Sequence, residues 1–284
     1  MSTSRRAGVL GSPVAHSLSP VLHNAAYQAL DLTGWTFDRI ECDARTLPGL
    51  VASADPVWVG YAVTMPGKRA ALAMADVVTE RAAAVGAANT LLRTDEGWQA
   101  DCTDVSGVVG ALRAAGGYRP KPDATGLVLG AGGTASAALA GLAALDVREV
   151  TVVVREPARA ADARATAERL GVRLDVRRWT DSDIGALARE CAVLVSTVPA
   201  EAVAAHAAEL ALAPCLLDVI YHPWPTPVAQ AVAARGGALA TGLDMLLHQA
   251  FGQVEQFTGQ SAPREAMRDA LRMATGNTLP LPLN

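Results

Sequence analysis

Several short stretches of this chain carry chemically useful side chains where the neighbouring residues would hold them still. The first is Gly11-Ser12-Pro13-Val14-Ala15-His16-Ser17-Leu18-Ser19-Pro20-Val21-Leu22-His23-Asn24. An apolar run, Ala7–Leu10, reads as a buried strand ended by Gly11 and Pro13. Ser19-Pro20 then opens a helix, with Ser19 as N-cap and Pro20 at the first helical position. A helix N-terminus carries free N–H groups and a partial positive charge, so the hydroxyls of Ser17 and Ser19 there suit a carboxylate or a phosphate. The plainer alternative makes Ser19 only a cap and Ser17 only a solvated loop residue. A second stretch, Gly60 to Lys68, sets Lys68 just after a buried strand, in the first turn of a helix. A cation there opposes the helix dipole, so the placement points to function. In a third, Asp101-Cys102-Thr103-Asp104, Asp104 is a natural helix N-cap.

A Gly-rich turn supplies a different chemistry. Gly130-Ala131-Gly132-Gly133-Thr134-Ala135 fits Gly-x-Gly-x-x-Gly/Ala, follows the apolar strand Leu127–Leu129 and opens the helix Ala135–Leu145. In that context Gly130 permits the tight turn, Gly132 lets a pyrophosphate approach the backbone, and Ala135 keeps helix and strand close. A strand-to-helix turn without a nucleotide is the alternative. The next strand, Glu149–Val154, ends in Arg155-Glu156-Pro157-Ala158-Arg159. Arg155 and Arg159 can clamp the 2′-phosphate of NADP, whereas Glu156 would repel it. Two arginines against one carboxylate favour NADP.

These stretches resemble the motifs of the shikimate dehydrogenase family. The first matches the signature Gly-x-Pro-x-x-His-Ser-x-Ser-Pro-x-x-His-Asn, which implies that Ser17 and Ser19 hold the substrate carboxylate. Val63 to Lys68 matches Val-Thr-x-Pro-x-Lys, implying a catalytic Lys68 and a substrate contact at Thr64, with Ala62 where the family usually has Asn. Thr103-Asp104 matches the end of Asn-Thr-Asp, implying that Asp104 partners Lys68, with Cys102 in place of the Asn. Asn89-Thr90 matches an Asn-Thr pair whose Asn binds substrate hydroxyls, although alone Asn89 reads as a turn residue. Leu217–Pro227 and Gly242–Gln249 match later motifs and imply substrate contacts at Tyr221 and Gln249. The implied cofactor set is Gly130, Ala131, Gly132, Gly133, Thr134, Ala135, Arg155, Arg159, Thr197, Val198, Pro199, Val219, Gly242 and Met245. Read without the resemblance, Met245 is core filling and Gln249 a polar position on an amphipathic helix. The family's NADP segment reads Asn-Arg-Thr-x-x-Arg; Arg155 and Arg159 match it, while Val154 and Glu156 replace the Asn and Thr.

The resemblance implies reversible, NADPH-dependent reduction of 3-dehydroshikimate to shikimate, with Lys68 and Asp104 as the acid–base pair, NADP as cofactor and no metal. An NAD-dependent quinate/shikimate dehydrogenase remains a rival on the strength of Glu156. A tetrahydrofolate dehydrogenase lacks a use for the Ser17/Ser19 pair and Gln249. A catalytically silent small-molecule binder has no need of Lys68 and Asp104.

The elements that must carry these residues alternate between strand and helix, which argues an α/β architecture. The expected strands are Ala7–Leu10, Thr36–Glu41, Val57–Val63, Asn89–Arg93 and Trp98–Asp101, in a largely parallel sheet, with helices over Pro20–Leu30, Thr46–Ala52, Pro66–Ala75 and Thr79–Val85. Beyond Gly126 come strands Leu127–Leu129, Glu149–Val154, Ala192–Ser196 and Cys215–Val219, the helix Pro157–Leu170, and closing helices over Gly242–Phe257 and Pro263–Ala274. The expected plan is an α/β substrate domain at 1–103, a doubly wound Rossmann-type dinucleotide domain at 104–241, and helices at 242–284 that return to the substrate domain.

Composition narrows the rest. The chain has 284 residues, half of them hydrophobic, and a net charge of −4. Its basic residues are scattered, which argues against nucleic acid or an anionic membrane as partner. Cys42, Cys102, Cys191 and Cys215 lie far apart without metal-ligand spacing and read as reduced thiols. Arg5-Arg6 precedes too few apolar residues for an export signal, and no apolar run is long enough to span a bilayer. A cytoplasmic protein, monomeric or homodimeric and acting on a small molecule, is expected. His16 and His23 lack a neighbouring carboxylate and read as structural.

Overall fold

The computed structural model describes residues 4–284. The chain divides into two units: the residues up to Thr103 with Leu247–Leu283, and Asp104–Leu246. The α/β class holds for both.

The first unit is built on β1 (Arg5–Gly11), β2 (Trp35–Glu41), β3 (Trp58–Val63), β4 (Val77–Val78), β5 (Thr90–Thr94) and β6 (Gly97–Asp101), in the order β2-β1-β3-β5-β6-β4. β1 pairs in parallel with β2 and β3, and β4 with β6. β5 runs antiparallel to both neighbours, so the sheet is mixed rather than largely parallel. The cause is local: only Asp95 and Glu96 separate β5 from β6, and a connection that short can only reverse the chain. Gly97 takes φ +111° just past that turn.

Helices Ser19–Ala29, Leu47–Ala52, Lys68–Met74 and Glu80–Val85 connect these strands. The first corrects an expectation. Its cap position is Leu18, whose carbonyl accepts from Val21 N–H at 3.1 Å, and Ser19 is already helical. No side-chain cap bond is made at the cap position. Instead Ser17 Oγ accepts from the Ser19 N–H at 3.3 Å. The third helix begins at Lys68 rather than at Pro66.

The C-terminal helices belong to this unit from Leu247 onward. Gly242–Thr258 is one continuous helix, and Phe257 near its end lies against β3. A Cβ on Gly60 would sit 2.3 Å from Phe257 Cε1 and 2.8 Å from the Leu91 carbonyl oxygen. Helix Arg264–Ala274 packs against Ser19–Ala29.

The second unit is wholly parallel. Its strands are β7 (Thr125–Leu129), β8 (Glu149–Val154), β9 (Arg173–Arg178), β10 (Val193–Ser196), β11 (Leu216–Asp218) and β12 (Leu239–Thr241), in the order β12-β11-β10-β7-β8-β9. This is the doubly wound dinucleotide order, which reverses between β7 and β10, the place where such sheets receive ligands. Helix Gly133–Ala144 is buried on every side from Ala135 to Ala143, as its run of Ala, Gly and Leu, interrupted only by Ser136, requires. A Cβ on Gly141 would lie 2.6 Å from Val108 Cγ1, so helix Asp104–Ala114 packs closely against it.

Several elements were absent from the sequence expectations. β9 (Arg-Leu-Asp-Val-Arg-Arg) is a charged edge strand with no apolar run. β4 and β12 are two and three residues long. Helix Pro227–Ala234 starts within a proline-rich stretch, capped by Thr226, which accepts from Ala229 N–H. Helix Ile184–Glu190 and the turns at Ala200–Val203 and Ala207–Leu210 are short. The expected helix Pro157–Leu170 is a 3-10 turn, Pro157–Ala160, followed by helix Ala161–Leu170. No helix among the described residues is long and apolar enough to cross a membrane. The four cysteines are buried and form no disulfide.

Overpacking at the Gly60 contact is expected to cost about 1–3 kcal/mol. Gly60→Ala should lower the urea midpoint of the first unit's transition, and an unchanged midpoint would show that Phe257 yields without strain.

Candidate active site

The first unit brings two of the sequence stretches together at the ends of parallel neighbours β1 and β3. Ser12 N–H donates to the Met65 carbonyl at 3.0 Å, and Thr64 N–H to that of Leu10 at 2.8 Å. A Cβ on Gly11 would lie 2.3 Å from Thr64 Cγ2, so only glycine permits the approach. The Ser17 loop is then held from β2. Arg39 donates to the Ser17 carbonyl through Nε and Nη2, at 2.9 and 2.7 Å. Glu41 accepts from Ser12 Oγ at 2.6 Å and from Val14 N–H at 3.2 Å. Ser19 is buried, Ser17, Thr64 and Lys68 are half-buried, and Met65 is 75% exposed. The Lys68 carbonyl accepts from Ala88 N–H at 3.0 Å, which fixes the lysine's main chain beside the residue preceding Asn89.

Asn89 is buried at the start of β5 and bonded on every side. Its Nδ2 donates to Gln249 Oε1 at 3.1 Å and to Thr103 Oγ1 at 3.0 Å, while its Oδ1 accepts from Thr103 N–H at 2.7 Å. Gln253 Nε2 donates to the Asn89 carbonyl and to Thr90 Oγ1, both at 3.0 Å. Gln253 Oε1 faces His23 Nε2 at 3.2 Å. Because the Gln253 amide nitrogen is already committed, His23 must donate through Nε2, leaving Nδ1 unprotonated. That Nδ1 is buried without a partner. Phe37 stacks on the ring at 3.9 Å, and Tyr27 and Phe257 pack around it.

Asp101 anchors the strand that leads to Asp104. It is 4% exposed, pairs with Arg81, and accepts from Thr79 Oγ1 at 2.8 Å, Gln256 Nε2 at 2.7 Å and Cys102 N–H at 2.7 Å. Burial alone would raise its carboxyl, but the hydrogen bond and charge of Arg81, with Thr79 and the Cys102 N–H, hold it below the usual range. Asp104 is the first residue of helix Asp104–Ala114 and is buried.

In the second unit the Gly-rich turn has the shape a pyrophosphate needs. Gly130 takes φ +102°, and a Cβ there would lie 2.6 Å from Thr197 Oγ1 and 3.1 Å from Val198 Cγ1. Thr197 Oγ1 in turn donates to the Leu129 carbonyl at 2.7 Å. A Cβ on Gly132 would meet nothing within 4 Å, and no side chain caps the helix that starts at Gly133. The turn thus leaves open backbone and uncapped N–H groups at the switch point. Arg155 and Arg159 stand exposed past the end of β8, as does Pro199 past β10, while Ala135 is buried. Glu156 accepts from Arg178 Nη2 at 3.2 Å.

On the other side of the switch point, a Cβ on Gly242 would lie 2.1 Å from the Val219 carbonyl oxygen and 2.8 Å from Tyr221 Cδ1. Asp218 shapes the Tyr221 loop, accepting from Thr226 Oγ1 at 2.7 Å and from Ile220 N–H. Asp244 accepts from Thr241 Oγ1 at 2.6 Å and Thr241 N–H at 2.8 Å. Burial raises both carboxyls, against these hydrogen bonds. Met245 is 7% exposed and packs in the core of the unit. Among the described residues no His, Cys, Asp or Glu side chains gather in a metal-binding group.

Known proteins are similar to this chain in sequence and architecture. Residues 9–91 match the model of the shikimate dehydrogenase substrate binding domain, and residues 242–272 that of the shikimate 5′-dehydrogenase C-terminal domain. Shikimate dehydrogenase (NADP(+)) of Oleidesulfovibrio alaskensis is 34% identical, covering 93% of this chain and 95% of the relative. The chain belongs to the shikimate dehydrogenase family. The crystal structure of the Mycobacterium tuberculosis shikimate dehydrogenase is 54% identical, covers 95% of this chain and 99% of its own, and superposes with a TM-score of 0.88. The Thermus thermophilus shikimate 5-dehydrogenase, solved in complex with NADP(H) and shikimate, is 32% identical with a TM-score of 0.77, over 95% and 99% of the two chains.

Within this family member, Ser17, Ser19, Thr64, Lys68, Asn89 and Gln249 lie in the first unit; Asp104, Tyr221 and the cofactor residues lie in the second. Sequence reasoning missed Arg39, Glu41, Arg81, Asp101 and Gln253 in the first unit, and Asp218, Asp244 and Arg178 in the second. Asp218 and Asp244 stand inside the recognised motifs, so their apolar surroundings were the available signal. The others meet partners too distant in the chain to leave one.

His23 carries a pH dependence. Burial pushes its imidazole down to about 3 from 6.5, and the Gln253 hydrogen bond offsets only part of this. The unfolded chain takes up a proton that the folded chain refuses, so this contribution is complete above pH 6.5 and is lost as pH falls toward 3. Wild-type stability between pH 6 and pH 4 should fall more steeply than that of His23→Gln, by up to about 1.4 kcal/mol per pH unit. Parallel urea-midpoint profiles for the two proteins would remove His23 from the acid response.

Proposed function

We propose that this chain catalyses the reversible reduction of 3-dehydroshikimate to shikimate with NADPH, and that its recognised motifs act as they do in the family. The observation that carries the reading is the bonded pair Asn89 Nδ2–Gln249 Oε1, 3.1 Å apart across 160 positions of sequence. Two amides so joined form one polar surface against which the adjacent hydroxyls of a polyhydroxylated ring would exchange hydrogen bonds. Ser17 and Ser19, at the mouth of helix Ser19–Ala29, take the ring's carboxylate. Thr64 and Tyr221 complete the substrate contacts.

When bound, NADPH supplies the hydride. Gly130, Ala131, Gly132, Gly133 and Thr134 cradle the pyrophosphate with main-chain N–H groups, and Ala135 keeps the helix close to β7. Arg155 and Arg159 hold the 2′-phosphate. Thr197, Val198, Pro199, Val219, Gly242 and Met245 line the nicotinamide end. Lys68 gives its Nζ proton to the carbonyl oxygen as charge develops there, and the carboxylate of Asp104 holds the ammonium and a substrate hydroxyl. In the oxidative direction neutral Lys68 takes that proton back, so shikimate oxidation should accelerate with rising pH. The scattered basic residues support a protein without nucleic-acid partners, and the four buried thiols a cytoplasmic one. It acts as a monomer or homodimer.

Absorbance at the nicotinamide band, with shikimate and NADP+, tests the activity. Lys68→Ala should lower kcat by about 10²-fold or more with a smaller change in KM. Native kcat in that variant would end the catalytic assignment, and no wild-type turnover would leave a silent binder. Separately, Ser17→Ala should raise KM for shikimate while leaving the Kd for NADP+ in place. An unchanged KM would reduce Ser17 to a loop residue.

A further inference from the structure

The cofactor end of β8 holds a charge that ought to be wrong. Glu156 stands between Arg155 and Arg159, and a carboxylate there favours a ribose 2′-hydroxyl over a 2′-phosphate. The structure supplies a counter-charge that the sequence motif does not contain. β9 runs parallel to β8 with Val154 opposite Arg178, so Arg178 ends its strand beside the segment that begins at Arg155. Arg178 Nη2 lies 3.2 Å from Glu156 Oε1, and its Nε lies 4.0 Å from Asp181 Oδ2.

We propose that Arg178 is a specificity-determining residue for the cofactor. By pairing with Glu156 it masks the one carboxylate at this end of β8 and lets Arg155 and Arg159 receive the 2′-phosphate. The inference rests on the NADP reading given above and adds a residue to it.

The charges show why the pair matters. Arg155, Arg159 and Arg178 against Glu156 and Asp181 leave one net positive charge. Without Arg178 the cluster is neutral, and its carboxylate is free to accept from a 2′-hydroxyl. A phosphate monoester carries close to two negative charges near pH 7, so it feels this difference about twice as strongly as a single charge does. NAD has no charge at that position.

An alternative role for Arg178 is protection of an exposed sheet edge. β9 is such an edge, and Arg173 and Arg177 also form ion pairs on it. Arg173, however, pairs with Glu149 at the opposite end of β8, and Arg177 pairs with Asp175 on its own strand. Arg178 alone reaches the carboxylate in the cofactor segment. Edge protection predicts altered solubility or stability with no change in the ratio of NADP+ to NAD+ affinity.

Equilibrium titration of the full-length protein with NADP+ and with NAD+ tests this in Arg178→Gln, Glu156→Gln, the double variant and Arg178→Lys. The side chains are about half exposed, so the effects are those of a screened surface cluster. Arg178→Gln should weaken NADP+ about 3- to 10-fold and NAD+ little, with a gap that narrows at high salt. Glu156→Gln should tighten NADP+. In the double variant, loss of Arg178 should cost less NADP+ affinity than it does in the wild-type background, because the Glu156 carboxylate that it masks is gone. Arg178→Lys should retain most of the wild-type ratio. The proposal is overturned if Arg178→Gln leaves the ratio unchanged, or if its cost is undiminished in the Glu156→Gln background, which would make Arg178 a direct phosphate ligand. A wild-type protein that binds NAD+ at least as tightly as NADP+ overturns the underlying cofactor reading and the proposal with it. Wild-type preference for NADP+ with an indifferent Arg178→Gln overturns the proposal alone.

Discussion

Every polar atom of Asn89 is committed within the first unit, and those commitments hold the segments that carry Thr64, Lys68 and Gln249. Its carbonyl accepts from Val63 N–H at 2.7 Å, holding the end of β3, after which Thr64 and Lys68 follow. Its N–H donates to the Asp101 carbonyl, holding the end of β6. Its side chain bonds Thr103, one residue before Asp104, and Gln249 on the C-terminal helix. A buried amide costs free energy wherever one of these bonds is missing, so the strand ends and the helix can come together in only one register. Gln253 and His23 extend the same logic: the Gln253 amide oxygen accepts from the imidazole, stacked on Phe37, only when its Nε2 carries the proton.

The second unit works by a different constraint, close main-chain approach. Its central strands β7 and β10 are mostly apolar, and its ligand-facing ends are shaped by glycines. Gly130 lets the turn after β7 pass against Thr197 after β10. Gly242 lets the start of the long helix pass against Val219 after β11. The first contact spans the place where the strand order reverses, where a parallel sheet leaves room between diverging loops, and the second lies farther along the same sheet at β11 and β12. Asp218 and Asp244 then fix the loops by bonding hydroxyls and N–H groups within their own segments. Rigid ends and open backbone follow from the same residues.

The motifs and the strand–helix alternation were readable from the sequence because each is a local pattern. Gly130–Ala135 after an apolar strand, and Lys68 after β3, need only their neighbours to be recognised. The Ser19 cap was misread because Leu18 starts the helix and Ser17 supplies the local hydroxyl bond, and Ser-Pro looks the same in either register. The mixed first sheet was hidden in the two-residue turn between β5 and β6. β9 escaped because its charges answer to an exposed edge and to β8, not to a periodic apolar face. Arg39 and Glu41 were invisible for a further reason: they alternate on an edge strand as solvated residues do, and only the folded chain turns them toward the Ser17 loop.

The departure from the family pattern at Cys102 is accommodated by the same geometry. The segment from Asp101 to Asp104 is held by its main chain. Asp101 accepts from the Cys102 N–H at 2.7 Å, and Asn89 Oδ1 accepts from the Thr103 N–H, also at 2.7 Å. Those bonds need no particular side chain at position 102, which is 1% exposed and takes a small apolar thiol. Thr103 and Asp101 are constrained differently, since their side chains are themselves partners in the network. At position 102 the main chain takes part in the holding, and at 101 and 103 the side chains do as well.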